Sequence, residues 1–350
     1  MPNSDNNPIK ITLDDLQNVA TPETTNVEAS SAAPGQRNYG SINTVGEDLA
    51  GTAQDRGSIL LQGWFYLGAA GIIGALIGWG ICEPAFVDGR AHRWGNTWLV
   101  PVIVAFLCVA FGVAESVVER SLSKALQRAA LAFPLGIIFG FILLVVADVI
   151  FAIGLSVSAE AGVTSERSPA FWIVRAIAWA AFGVAGGAVY GIVGLSGKKA
   201  GYGILGGVIG AALGGVLFDP IAMATHGGAA SRAIGFALTG MATGIGIGLI
   251  ESALKDRWLY VTAGPLAGKQ FILYKPTTVI GSQQQCDIYL FKDSTVLPRH
   301  AVLENRGSRL QITAFGPVYV SGVPVQKQVL QSGSTLQIGR YGFRYQEKQR

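Results

Sequence analysis

Three short stretches decide the fold: Val279-Ile280-Gly281-Ser282, Val296-Leu297-Pro298-Arg299-His300-Ala301 and Val320-Ser321-Gly322. Each sets β-branched or other apolar residues against Gly, Pro or Ser, the pattern of a short strand running into a tight turn. Similar runs surround them at 258–262, 271–274, 278–280, 287–291, 301–304, 310–313, 318–320, 335–338 and 343–345. Turn formers such as Gly264-Pro265, Lys275-Pro276, Gly316-Pro317 and Ser332-Gly333 separate them. Many short strands within one compact stretch predict an all-β sandwich over 257–350.

Upstream the composition changes. Half of the 350 residues are hydrophobic, only 14% are charged and 47 are glycine, a balance that points to helices in lipid. Six apolar stretches, roughly 59–82, 98–118, 129–154, 170–195, 201–224 and 233–253, each approach the ~20 residues needed to cross a bilayer as helix. The expected domains are therefore a disordered N-terminal tail over 1–57, a six-helix transmembrane domain over 58–255 and the sandwich over 257–350. The tail is polar, lacks the basic and apolar regions of a signal peptide, and carries a candidate kinase substrate at Thr21-Pro22-Glu23-Thr24-Thr25. Arg56, Arg120, Lys124, Arg128, Lys198, Lys199, Lys255 and Arg257 fall on one side of the bundle, and Arg90, Arg93, Arg167 and Arg232 on the other. The richer side predicts both termini in the cytoplasm of a bacterial inner-membrane protein. A net charge of +4 is too small to suggest a nucleic-acid partner, and Cys82, Cys108 and Cys286 lack metal-ligand spacing.

The helices also repeat. Gly71-Ile72-Ile73-Gly74-Ala75-Leu76-Ile77-Gly78 followed by Glu83 matches Gly207-Val208-Ile209-Gly210-Ala211-Ala212-Leu213-Gly214 followed by Asp219, and Gly136-Ile137-Ile138 leads likewise to Asp148. In all three the acid lies twelve positions after the first glycine. Glu115-Ser116 and Glu251-Ser252 answer one another in the even helices. We read three tandem helical hairpins. The glycines are expected to let helices approach closely. The acids Glu83, Asp148, Asp219, Glu115 and Glu251 are read either as residues reaching interfacial water at helix ends or as the lining of a cation vestibule. Arg175 is expected to snorkel to the far interface.

The C-terminal residues resemble a forkhead-associated (FHA) domain over nearly all of 257–348. The resemblance rests on Val279-Ile280-Gly281, Cys286-Asp287-Ile288-Tyr289-Leu290, Val296 with Arg299-His300-Ala301, Val320-Ser321-Gly322, and the late Leu330, Gly333, Leu336, Ile338-Gly339 and Phe343. It implies a phosphothreonine-binding module with no catalysis, in which Gly281, His300 and Gly322 are structural and Ser282, Ser294, Thr295, Arg299 and Ser321 lie on the binding loops. This chain departs from the pattern at the phosphate contacts. Ser282 stands where the family has Arg, Leu297 where it has Ser, and Gly316-Pro317-Val318-Tyr319 offers no Asn. Losing one Arg–phosphate fork removes about 1.5–3 kcal/mol of binding. An anion site rebuilt from Lys292, Ser294, Thr295 and Arg299 is the alternative. Degenerate domains of this kind also resemble the cytoplasmic domain of a ring component in bacterial type III secretion, where the sandwich serves assembly.

The expected fold class is thus α+β and multidomain: a six-helix transmembrane bundle of three hairpin repeats, then an FHA-like sandwich. The expected role is a membrane scaffold or signalling adaptor without enzymatic activity or cofactor. Its expected partners are a protein, phosphorylated or not, and membrane lipids, with homo-oligomerisation compatible. The alternative is a small channel or transporter regulated by the sandwich. Gly264-Pro265-Leu266-Ala267-Gly268-Lys269 is too short between its glycines for a nucleotide-binding loop and reads as a hairpin turn.

Overall fold

The computed structural model describes residues 59–87, 94–162, 168–225, 227–307 and 309–348. The expected tail, its candidate kinase substrate and Arg56, Arg90, Arg93 and Arg167 lie outside the described residues. All the described residues belong to one compact unit.

Six long helices come first: α1 (Gly63–Cys82), α2 (Trp94–Val118), α3 (Leu122–Glu160), α4 (Pro169–Val193), α5 (Gly197–Ala224) and α6 (Gly228–Leu254). All six are long and apolar enough to cross a membrane. The largest departure from the sequence expectation is α3, whose 39 residues span about 58 Å. Lys124 and Arg128 read as loop, yet both sit within this helix because protein carboxylates neutralise them. Each helix packs on its chain neighbours, and α1 closes the ring against α6. The even helices α2 and α4 are the most buried, whereas α3 is mostly exposed to the surroundings.

Small residues make this packing close. A Cβ on Gly71 would fall 2.0 Å from Gly240 O on α6, one on Gly136 would fall 2.6 Å from Ala105 Cα on α2, and one on Gly207 would fall 2.3 Å from Gly183 O on α4. Any side chain at these positions would push two helix backbones apart, forfeiting the dispersion contacts that hold helices together in lipid. Between α1, α2, α4 and α6, Leu67, Phe111 and Ile247 are fully buried together with Tyr190.

Two tight turns between helices end alike. Arg120 (φ 55°) and Leu195 (φ 54°) adopt the left-handed conformation. The next residues close the same six-to-one bond, Ser121 N to Ser116 O at 2.9 Å and Ser196 N to Gly191 O at 3.1 Å. The Ser196 hydroxyl then accepts from Lys199 N and caps α5. The Ser121 hydroxyl makes no such cap.

Only Lys255 and Asp256 separate α6 from the first strand, β1 (Arg257–Ala263). The sandwich continues through β2 (Gln270–Ile272), β3 (Thr277–Gly281), β4 (Ile288–Tyr289), β5 (Ala301–Arg306), β6 (Arg309–Ala314), β7 (Val318–Val320), β8 (Val323–Pro324), β9 (Lys327–Leu330), β10 (Thr335–Ile338) and β11 (Tyr341–Glu347). One sheet runs β2-β1-β11-β10-β7-β8 and the other β4-β3-β5-β6-β9. Alternate residues such as Leu259, Val261, Ile280, Leu303, Ile312, Ile338, Phe343 and Tyr345 fill the space between them. Strands β8 and β9 escape the sequence reading because they are exposed edges with almost no apolar alternation.

Candidate functional site: the loop end and the junction

At the loop end of the sandwich, Gly281 and His300 hold neighbouring loops together. A Cβ on Gly281 would fall 2.1 Å from Pro298 O, so only glycine lets the β3 end and the 292–300 loop meet. The His300 ring is buried. Its Nδ1 accepts from Leu297 N at 3.0 Å, which leaves Nε2 to carry the proton and donate to Pro317 O at 2.9 Å. This histidine is a neutral strut between two loops. Ser321 (φ 49°) and Gly322 (φ 81°) form the left-handed turn between β7 and β8.

The loop that follows β4 is organised by its own acid. Asp293 Oδ1 accepts from Thr295 N at 3.0 Å and from Thr295 Oγ1 at 2.6 Å, and its Oδ2 accepts from Arg340 N at 2.8 Å. The Thr295 hydroxyl and these backbone donors hold the Asp293 carboxyl below its ordinary value. Ser294 and Arg299 are exposed, and Arg299 lies over the Phe315 ring at 5.3 Å. Among the described residues, no hydrogen bond or ion pair joins Arg299 to Ser294, Thr295 or Ser321. Ser282 meets Leu297 only through the backbone, Ser282 N to Leu297 O at 3.0 Å. Leu297 and Phe315 remain 43% and 55% exposed, an apolar ridge beside Arg299.

The other loop of this end, between β3 and β4, is already engaged by the bundle. The Ser121 hydroxyl donates to Gln284 O at 3.4 Å, and Ser123 N donates to Gln284 Oε1 at 3.1 Å. A side chain of the sandwich therefore caps α3 where a local serine caps α5. Lys124 reaches Asp287 O at 3.3 Å, and Arg120 lies over Phe291.

Beside this contact lies a buried polar layer that sequence reasoning did not assemble. Glu119, at the end of α2, accepts from Lys269 at 2.8 Å and Lys124 at 3.3 Å, and all three residues are nearly inaccessible. Glu115 is paired with Lys199 at 2.6 Å and Arg128 at 3.2 Å. The Tyr190 hydroxyl lies 3.0 Å from Glu115 Oε1 and 3.0 Å from Glu251 Oε2, and Tyr274 of the sandwich donates to Glu251 Oε1 at 2.5 Å. Burial, reinforced by the Glu251 charge, pushes the Tyr274 hydroxyl far above its usual range, so it stays a donor. The five membrane acids thus separate. Glu115 and Glu251 converge here. At the far end Glu83 is held by Arg232 through two bonds of 3.1 and 2.6 Å, and Asp219 by Arg175 at 2.9 Å. Asp148 is exposed on α3. Three of the acids, Glu83, Glu115 and Asp219, are therefore paired with protein cations and Glu251 is held by tyrosine hydroxyls, rather than left to interfacial water, and Arg175 pairs with an acid between Phe151 and Phe218.

Residues 260–349 match the family model described as the cytoplasmic domain of an inner membrane component of the type III secretion system. The match begins within β1 and takes in all of β2 to β11. The sandwich is a forkhead-associated domain. It follows six helices fit to cross a membrane. Among curated proteins, the chain is 40% identical over 86 residues to the glycogen accumulation regulator GarA of Mycolicibacterium smegmatis, covering 24% of this chain and 54% of that protein. It is 38% identical over 86 residues to the oxoglutarate dehydrogenase inhibitor of Corynebacterium efficiens, covering 24% of this chain and 60% of that protein. The match thus spans little more than half of either relative. Among solved structures, the FHA domain of the CT664 protein from Chlamydia trachomatis aligns with TM-score 0.25 and 24% identity, covering 27% of this chain and 100% of that one. The N-terminal FHA domain of Rad53p from S. cerevisiae, solved with a phosphothreonine peptide, aligns with TM-score 0.25 and 14% identity, covering 27% of this chain and 94% of that one.

Proposed function

We propose that this protein is an inner-membrane adaptor with both termini in the cytoplasm. Its bundle, read as three hairpin repeats, holds the FHA domain in a fixed pose, and the exposed loops of the domain bind a protein partner without requiring phosphothreonine. One observation carries the reading: Asp293 occupies the Thr295 and Arg340 donors, so the loop that would bind phosphate already holds a carboxylate. Ser282 and Leu297 in place of phosphate-binding side chains support it. The partner would meet the ridge of Leu297, Arg299 and Phe315, with Ser294 and Ser321 at its margins.

The buried cluster of Leu67, Phe111 and Ile247 between helices favours an anchor over a conducting path. The test is binding of matched threonine and phosphothreonine peptides, taken from candidate partners, to the full chain in nanodiscs. The adaptor reading expects affinities within about twofold of each other. A tenfold preference for the phosphorylated form, about 1.4 kcal/mol, would overturn it.

A further inference from the structure

A cavity of about 810 Å³ lies between the bundle and the sandwich. Its walls are the starts of α1, α3 and α5, the ends of α2, α4 and α6, the β3–β4 loop, and the outer face of β1, β2 and β11. That volume suits a ligand of small-molecule size. Five cationic side chains, Lys124, Arg128, Lys199, Lys269 and Lys275, line it against four acids. The acids are engaged: Glu115 and Glu119 by two cations each, Asp287 by Lys275 at 2.7 Å, and Glu251 by tyrosine hydroxyls. The cations retain donor capacity. Arg128 bonds Glu115 through one guanidinium nitrogen, and Lys275 has a single carboxylate partner while remaining about a third exposed. An ammonium has three donors and a guanidinium five, so unspent N–H groups and surplus positive charge face the space.

The cavity sits where the apolar spans stop, which in a bilayer is the level of the lipid headgroups. Leu61, Trp64, Leu131 and Leu195 line it as well, and Leu131 and Leu195 are exposed to the surroundings. Basic cavities between helix ends, edged by apolar side chains, suit anionic headgroups. We infer that this cavity binds the phosphate headgroup of an anionic phospholipid from the leaflet on the sandwich side. A phosphate with several acceptor oxygens matches the spare donors, and the acyl chains have an apolar exit past Leu131.

The experiment is native mass spectrometry of the full chain released from nanodiscs of phosphatidylglycerol mixed with phosphatidylcholine. Wild type is expected to retain one phosphatidylglycerol at least tenfold over phosphatidylcholine. Arg128→Gln and, separately, Lys275→Gln are each expected to cut that retention about fivefold or more, whereas Lys292→Gln on the remote loop leaves it unchanged. Lys275→Gln lies outside the helices and keeps the test open if Arg128→Gln misfolds. Equal retention of the two lipids, or retention indifferent to both substitutions, overturns the proposal. A further arm adds inorganic phosphate to the same mixed discs. Displacement of phosphatidylglycerol by millimolar phosphate overturns the lipid as the source, and failure to displace it supports the lipid.

Discussion

The hydroxyl of Tyr274, from the loop after β2, donates to the carboxylate of Glu251 near the end of α6 at 2.5 Å. The contact joins two domains across a linker of two residues, and it places a sandwich side chain inside the polar layer of the bundle. Tyr274→Phe removes one donor to a buried carboxylate. A lost hydrogen bond to a charged group costs about 1.5–3 kcal/mol. The expected outcome is earlier thermal release of the sandwich, read as faster hydrogen exchange in β1 and β2 with the far end of the bundle unchanged.

Lys269 and Glu119 form the most buried ion pair across the junction, with Lys124 as the second cation on the same carboxylate. Lys269→Met leaves Glu119 with Lys124 alone, and losing one partner of a buried pair costs up to about 3–5 kcal/mol. Because Lys124 remains, a loss of about 1–3 kcal/mol is expected. In a double-mutant cycle, Glu119→Gln combined with Lys269→Met should cost less than the sum of the two single changes. Strict additivity in denaturant titrations would show that the pair does not couple the domains.

Gln284 caps a helix of another domain. Gln284→Ala should release the first turn of α3 at a cost of about 0.5–2 kcal/mol. The amides of Ser123 and Lys124 should then exchange faster, while Lys199, capped by Ser196 in its own chain segment, should not change.

Asp293 sets a pH limit on the loop end. Its carboxyl is held below the unfolded value of about 3.9 by the Thr295 hydroxyl and the Arg340 amide. As pH falls the unfolded chain takes up its proton first. The stabilisation is therefore complete above about pH 4 and is lost as pH falls through the lower folded value. The Thr295 amide resonance should titrate with a midpoint below that of an unstructured aspartate and should lose its titration in Asp293→Asn. The group is only partly buried, so the effect on global stability should be small.

Much of the architecture is legible because it depends on local pattern. Apolar length gives the six spans, and alternation with turn residues gives most of the strands. Gly281, His300 and Gly322 mark the FHA domain because loop closure needs those residue types. What escaped the reading depends on partners far away in the chain. Lys269 lies 150 residues from Glu119, and Tyr274 owes its role to an acid on another element. Lys269 was visible only within a glycine turn dismissed as a nucleotide loop, and nothing near it announces a buried cation. The acids were visible, but their neutralisation by Arg232, Arg175, Lys199 and Arg128 follows from helix neighbours that no periodicity identifies. The start of α3 was lost for the same reason, since its lysine and arginine are paired across elements.

The central claim is that the FHA domain is docked on the bundle through the β3–β4 loop and the α2–α3 turn. It is tested most directly by crosslinking Ser123→Cys to Gln284→Cys in intact membranes, with Cys82, Cys108 and Cys286 replaced by serine. The account predicts that a short bifunctional reagent joins most of the chains, whereas Ile153→Cys, about 45 Å along α3 from Ser123, stays uncrosslinked to Gln284→Cys. Equal and negligible crosslinking of both pairs would contradict it.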